Sequence, residues 1–109
     1  MKKVTTSDWK AWVNKMPGPG TPHHNTLHVV GTVDTYSKDL AYLQKREPQG
    51  INPHILLLDL HVITGFVPVD NPQRVHYYEN LAEEQSYKSI EIYYEGKREA
   101  TIDEIPIAL

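Results

Sequence analysis

The sequence contains no cysteine and no apolar run long enough to cross a membrane. Without cysteine there are no disulfides, no thiolate metal ligands and no thiol nucleophile. Residues 1–12 begin with a methionine and two lysines and then turn polar, so they lack the apolar core of a secretory signal. We therefore expect a soluble, cytoplasmic protein that makes no membrane contact.

Motifs of the common catalytic and nucleotide-binding sites are also missing. There is no G-x-S-x-G elbow, no P-loop, no G-x-G-x-x-G turn and no HExxH zinc motif. The four serines have no candidate base close by in the sequence. Most carboxylates alternate outward on a C-terminal hairpin, where a general acid–base pair would not be buried. The pattern favours a non-enzymatic protein without a cofactor and leaves enzymatic activity as the alternative.

Charge is unevenly distributed along the chain. The net charge of −3 disfavours nucleic acid as a partner. Residues 1–69 carry seven Lys and Arg against five Asp and Glu, whereas residues 70–109 carry four against nine. The acidic second part fits either a solvated sheet face or a patch that binds a partner.

The N-terminal part predicts a short helix followed by a connector. From Ser7 to Met16, apolar residues recur at helical spacing and include Trp9 and Trp12. Ser7 is a suitable N-cap, and Pro17 ends the pattern. We therefore divide the chain into residues 1–22, a short helix with a Pro/Gly connector, and residues 23–109, a single β domain. The two indoles would cover part of the sheet or form an aromatic ligand-binding stripe.

The rest of the chain alternates apolar and polar residues, which is typical of strands. Strands are predicted at Thr26–Thr35, Asp39–Lys45 and from Ile55 onward, whereas Val75–Gln85 fits a strand slightly better than a helix. A hairpin is predicted around a type II′ turn at Gly96-Lys97. The fold class is all-β: an antiparallel β-sandwich, immunoglobulin-like or a partly open barrel, with a short N-terminal helix.

One stretch is distinctive. Glu47–Thr64 places a turn rich in Pro and Gly before a long apolar strand, with Asp59 and His61 in its centre. The run PGPGTPHHNTLHVVGTV followed by LQKREPQGINPHILLLDL resembles a small family of uncharacterised bacterial proteins with a PQGINP turn before an ILLLDL strand. The resemblance covers residues 17–60. It implies a β-rich fold and says nothing about chemistry.

Six histidines make metal binding the sharpest alternative function. Asp59 and His61 share one face of the central strand, and His28 lies on the polar face of the first predicted strand. If these strands are neighbours, the three side chains form a two-His, one-carboxylate set suited to Zn(II) or non-haem Fe(II). Equally, Asp59 and His61 are a polar pair that satisfies itself on a partly covered face.

A tyrosine- and glutamate-rich surface in the last third predicts protein interaction, because tyrosine contributes contact area with little loss of entropy. The candidate residues are Tyr77, Glu91, Tyr93 and Glu95. The partner is another protein or a second copy of the chain. The apolar tail Ile105–Leu109 either pairs as an edge strand within the domain or adds to another copy. We therefore expect a non-enzymatic protein-interaction or binding module.

Overall fold

The structure, a computed structural model, describes residues 3–15, 25–65, 68–82 and 86–108. These residues form strands joined by turns and loops, with no helix among them. The strands are β1 (Thr5–Asn14), β2 (Asn25–Asp34), β3 (Leu40–Lys45), β4 (Ile55–Ile63), β5 (Gln73–Leu81), β6 (Ser89–Tyr94), β7 (Lys97–Ile102) and β8 (Ile107–Ala108). The all-β prediction is confirmed. The part of the chain described here holds no helix that could cross a membrane.

The strands form two four-stranded sheets. Sheet I has the order β5-β2-β1-β8, and sheet II has the order β3-β4-β6-β7. Neither sheet is wholly antiparallel, which corrects the prediction: β4 pairs with β6 in parallel, and β1 pairs with β8 in parallel. The tail residues Ile107 and Ala108 therefore pair within the domain, as the edge strand that was one of the two alternatives.

One hydrophobic core draws on both sheets. The alternating pattern of β2 and β4 places every second side chain inward. The largest fully buried side chains are Leu27, Val29 and Val33 of β2, Leu56 and Leu58 of β4, and Ile90 and Ile92 of β6. Burying such side chains stabilises the fold by roughly 1.5–3 kcal/mol each, so the alternating strands dominate its stability.

The predicted N-terminal helix is wrong, because β1 occupies this segment. The pairing of β1 with β2 shifts register between Ser7 and Lys10, where Asp8 has φ of 55°. This bulge turns Trp9 towards the core, while Trp12 faces outward. A strand with a bulge can therefore show the spacing of apolar residues that is expected of a helix. Residues 16–24, which include the end of the predicted helix and the connector, lie outside the described residues.

Gly31 allows Trp9 to take this place. A Cβ atom on Gly31 would lie only 2.3 Å from Cε3 of Trp9, so only glycine lets the indole lie against the β2 backbone. The hairpin between β6 and β7 is confirmed, but its turn residues are Glu95 and Gly96, with φ of 49° and 81°. Positive φ at both positions defines a type I′ turn rather than the predicted type II′.

Two glutamines tie loops to strands through their side-chain amides. Gln49 of the PQGINP turn accepts a hydrogen bond from the backbone N–H of Leu57 and donates to the carbonyl of the same residue. Gln73 is buried; it accepts from the backbone N–H of Ala41 and donates to the carbonyl of Asp39. Each amide therefore satisfies backbone groups as a neighbouring strand would.

Candidate functional site

The three residues predicted as metal ligands lie in different sheets. His28 is on β2 of sheet I, whereas Asp59 and His61 are on β4 of sheet II. All three alternate with buried residues, so each lies on the face of its sheet that is turned away from the core. Among the described residues, no three His, Cys, Asp or Glu side chains are grouped to hold a metal ion. The structure does not bring His28 together with the other two.

Asp59 is bound by Arg46, which follows β3. Arg46 Nη2 lies 2.6 Å and Nε lies 3.1 Å from Asp59 Oδ1. The guanidinium carbon also lies 4.4 Å from the centre of the Tyr93 ring, a cation–π contact. The hydrogen bond that Arg46 donates to Asp59 raises the pKa of Arg46. Both oxygens of Asp59 thus lie within hydrogen-bond distance of the guanidinium.

His61 stacks on its cross-strand neighbour Tyr42, with ring centroids 5.1 Å apart. It also lines an open concavity of about 740 Å³ that includes Arg46, Asp59 and the turn residue Gly96. The concavity lies where β4 continues past the last residue of β6 that pairs with it. Asp59 and His61 thus share a surface, as predicted, but each has a different partner.

The predicted interaction residues do not form one surface. Tyr93 Oη donates to Glu91 Oε1 at 2.6 Å, and this hydrogen bond raises the pKa of Tyr93. Arg98 Nη1 lies 3.8 Å from the other oxygen of Glu91. Glu95 is exposed in the β6–β7 turn. Tyr77 belongs to sheet I and packs against the core, so it is separated from the rest.

Tyr77 belongs instead to a cluster around Glu79. Glu79 Oε1 accepts from Tyr77 Oη at 2.6 Å and lies 3.2 Å from Lys45 Nζ, while Oε2 accepts from Tyr87 Oη at 2.7 Å. Burial alone would raise the pKa of Glu79, but these three donors outweigh it and lower the pKa. Burial raises the pKa of both tyrosines. Because Lys45 is on β3 and Glu79 on β5, the cluster joins the two sheets.

His28 forms a pair that the sequence did not indicate. Its Nδ1 lies 3.0 Å from Nε2 of His76 on β5, so one imidazole donates a hydrogen bond to the other. The ring planes differ by 19° and the ring centroids are 5.2 Å apart. With the two nitrogens this close, the rings meet edge to edge in nearly one plane. Burial and the neighbouring His76 lower the pKa of His28, which favours its neutral form.

Aromatic side chains extend this pair across three strands. Trp12 and Tyr78 lie directly opposite His28 on either side. The ring of Trp12 is nearly parallel to that of His28, with centroids 5.2 Å apart, and the rings of His76 and Tyr78 are 6.3 Å apart. Tyr78 is 64% exposed. We call Trp12, His28, His76 and Tyr78 the ring row.

Charged residues also lie on the face that carries the ring row. The register and alternation of β1, β2 and β5 place these residues beside the row: Lys10, Asn14, Thr26, Val30, Thr32, Asp34, Arg74 and Asn80. Near Trp12, Lys10 shares a concavity with the carboxylates of Asp103 and Glu104. On the β5 side of the row the charged residue is the cation Arg74, so this side suits a negatively charged ligand or partner.

The sequence held a partial signal for the ring row. His76 and Tyr78 alternate with Val75 and Tyr77, which is the pattern of a half-buried strand. The position of β5 beside β2 is a contact between distant parts of the chain, and nothing in the local pattern specifies it. No family model, no curated protein and no solved structure matches the chain, so the resemblance to the PQGINP family stays a prediction.

Proposed function

We propose that the chain is a non-enzymatic protein-interaction module, a β-sandwich that binds an acidic segment of a partner protein with the ring row. The observation that carries this proposal is the row itself: four rings in contact across three strands, with Lys10 and Arg74 on the same face. The shared hydrophobic core and the Glu79 cluster, which join the two sheets, support the sandwich arrangement.

The chemistry of the ring row matches that of protein interfaces. Trp, Tyr and Arg are the residue types most enriched at the energetic centres of interfaces. Here Trp12 and Tyr78 stand on regular strands, and the ring contacts restrict their rotamers before any partner arrives. Little conformational entropy is then left to lose on binding, which is the advantage of a preorganised surface.

Charge selects the class of partner. Lys10 and Arg74 are both exposed, so their desolvation is incomplete and their attraction to carboxylates acts mainly on association rate and specificity. The partner segment that fits therefore combines Asp or Glu with a hydrophobic side chain that packs on the exposed ring of Tyr78.

A displayed-peptide library tests this proposal. Peptides are selected on the wild-type chain, and those enriched are titrated into nitrogen-15-labelled protein. We expect acidic peptides that shift the amide resonances of β1, β2 and β5. Arg74→Glu should weaken their binding by at least about tenfold, equivalent to about 1.4 kcal/mol. Arg98→Glu on β7 is the control and should leave binding unchanged, because Arg98 is also exposed to solvent but lies on sheet II.

Two results would contradict the proposal. Enriched peptides that shift only sheet II residues, or that bind equally to Arg74→Glu, would remove the ring row from the interaction. Single-stranded oligonucleotides that bind more tightly than any peptide, and lose affinity in Arg74→Glu, would replace a protein partner with a nucleic acid, since stacked aromatic rings beside cations also suit bases and phosphates.

A second copy of the chain is one source of an acidic segment, because residues 70–109 contain nine Asp and Glu. Light scattering across a concentration series separates this case from a different partner. A dimer that dissociates in Arg74→Glu would make the module self-associating. A monomer at every concentration would restrict the proposal to a different protein.

A further inference from the structure

The pair formed by His28 and His76 carries an inference that is independent of protein binding. The two side chains come from neighbouring strands of sheet I, and His76 is exposed to solvent. Their nitrogens lie 3.0 Å apart and are joined by an N–H···N hydrogen bond, so two imidazole nitrogens meet at one point of the surface. Neutral imidazole is the commonest protein ligand of transition metals.

The separation of the nitrogens fits a particular coordination geometry. Imidazole nitrogens bind such metals at about 2.0–2.1 Å. Two ligands at this distance and 3.0 Å apart subtend an angle of roughly 91–97° at the metal, whereas a tetrahedral angle would need a separation of about 3.3–3.4 Å. The hydrogen bond sets this separation, and a metal ion that left it unchanged would hold the two nitrogens at adjacent corners of a square-planar or tetragonal site, the arrangement that Cu(II) and Ni(II) prefer.

We propose that His28 Nδ1 and His76 Nε2 are adjacent ligands of one divalent transition metal ion, with Cu(II) bound most tightly. The metal ion takes the place of the hydrogen-bonded proton, and each ring turns by roughly 40–45° from the line between the two nitrogens, so that its lone pair points at the ion. The proton moves to the distal nitrogen, so both imidazoles stay neutral. Water molecules complete the coordination on the solvent side, and no third protein ligand is required.

Two neighbours shape this site. Trp12 stacks beside His28 and limits the displacement of that ring, which keeps His28 next to His76. Arg74 precedes His76 by one strand repeat on the same face, and its charge opposes a bound cation. Arg74→Gln should therefore tighten metal binding, although a glutamate at the same position should weaken the binding of acidic peptides.

Metal titration of a tag-free chain tests the site. The background variant His23→Ala/His24→Ala removes the two adjacent histidines that follow the connector, which are a competing source of metal binding. Copper(II), nickel(II) and zinc(II) chloride are titrated singly by calorimetry. Quenching of tryptophan fluorescence reports Cu(II) near Trp12, and its loss in Trp12→Phe assigns the signal. We expect one Cu(II) per chain and an electron paramagnetic resonance spectrum with two nitrogen ligands.

Substitutions decide the outcome. His76→Ala removes an exposed side chain, so the fold should survive, and it should weaken Cu(II) binding by at least about tenfold, because even supporting residues around a metal contribute 10- to 100-fold. The control His61→Ala should leave affinity unchanged, since His61 stacks on Tyr42 of sheet II. Equal affinity in His76→Ala and its background, or no binding of any of the three metals, would overturn the proposal.

Discussion

The outer faces of the two sheets hold their polar groups in different ways. On sheet II, Arg46 binds Asp59 and covers Tyr93, whose hydroxyl donates to Glu91. Charges of opposite sign thus satisfy one another on that face. On sheet I, the imidazoles of the ring row bond to each other, and Asp34, a carboxylate on the same face, accepts a hydrogen bond from the backbone N–H of Tyr36. The first arrangement holds a sheet together, and the second is available to a ligand.

This contrast predicts where stability is lost. We call a cluster closed when its charged groups are paired with one another. Closed clusters should contribute to the free energy of unfolding, and the ring row should not. The most buried closed cluster surrounds Glu79, so the largest effect is expected there. Glu79→Gln removes the charge that three donors share and should lower the free energy of unfolding by about 2 kcal/mol, typical of hydrogen bonds to a charged group. Urea denaturation measures it, with exposed Glu104→Gln as the control.

Lowering the pH should remove the stabilisation that the Glu79 cluster provides. The pKa of Glu79 is lowered in the folded chain, so the unfolded chain binds its proton more readily. The stabilisation is present above the ordinary glutamate pKa and is lost as the pH falls through the folded value. The gap in stability between the wild type and Glu79→Gln should therefore narrow on moving from pH 7 towards pH 3. A gap that stays constant would show that the charge of Glu79 contributes nothing.

A smaller loss is expected on the outer face of sheet II. Arg46→Ala leaves Asp59 without its ion pair and uncovers the ring of Tyr93. Both partners are partly exposed, which limits the expected loss to about 1 kcal/mol. The control is Arg98→Ala, because its contact with Glu91 is long and its side chain is 59% exposed. An equal free energy of unfolding in Arg46→Ala and Arg98→Ala would contradict the proposed difference between the outer faces of the two sheets.

The elements that were predicted correctly are those that depend on the local sequence pattern. The alternation of β4 and the hairpin of β6 and β7 depend on residues a few positions apart, and both are present. The helix prediction failed because the bulge at Asp8 adds one residue to the strand repeat and so changes the spacing of the indoles.

The site was harder to predict, since it depends on which strands become neighbours. His28 was expected to meet Asp59 and His61 if β2 and β4 were adjacent, but β2 pairs with β5 and so meets His76. The two histidines are 48 positions apart in the chain. No spacing rule covers a contact of this kind, because it forms only when the sheet order is set.

The smallest effect on stability is expected at the ring row itself, and it is the sharpest test of the comparison. His76→Ala and Tyr78→Ala remove exposed side chains from an edge strand, so each should change the free energy of unfolding by less than about 0.5 kcal/mol.

A double-mutant cycle between His28 and His76 should give a coupling of similar size, because a neutral hydrogen bond open to water contributes little. Urea denaturation at pH 7 without metal measures both. A coupling of about 2 kcal/mol would mean that the ring row is a structural element of sheet I, like the closed clusters. A negligible coupling, together with weakened peptide or copper binding, would show that the rings serve a ligand rather than the fold.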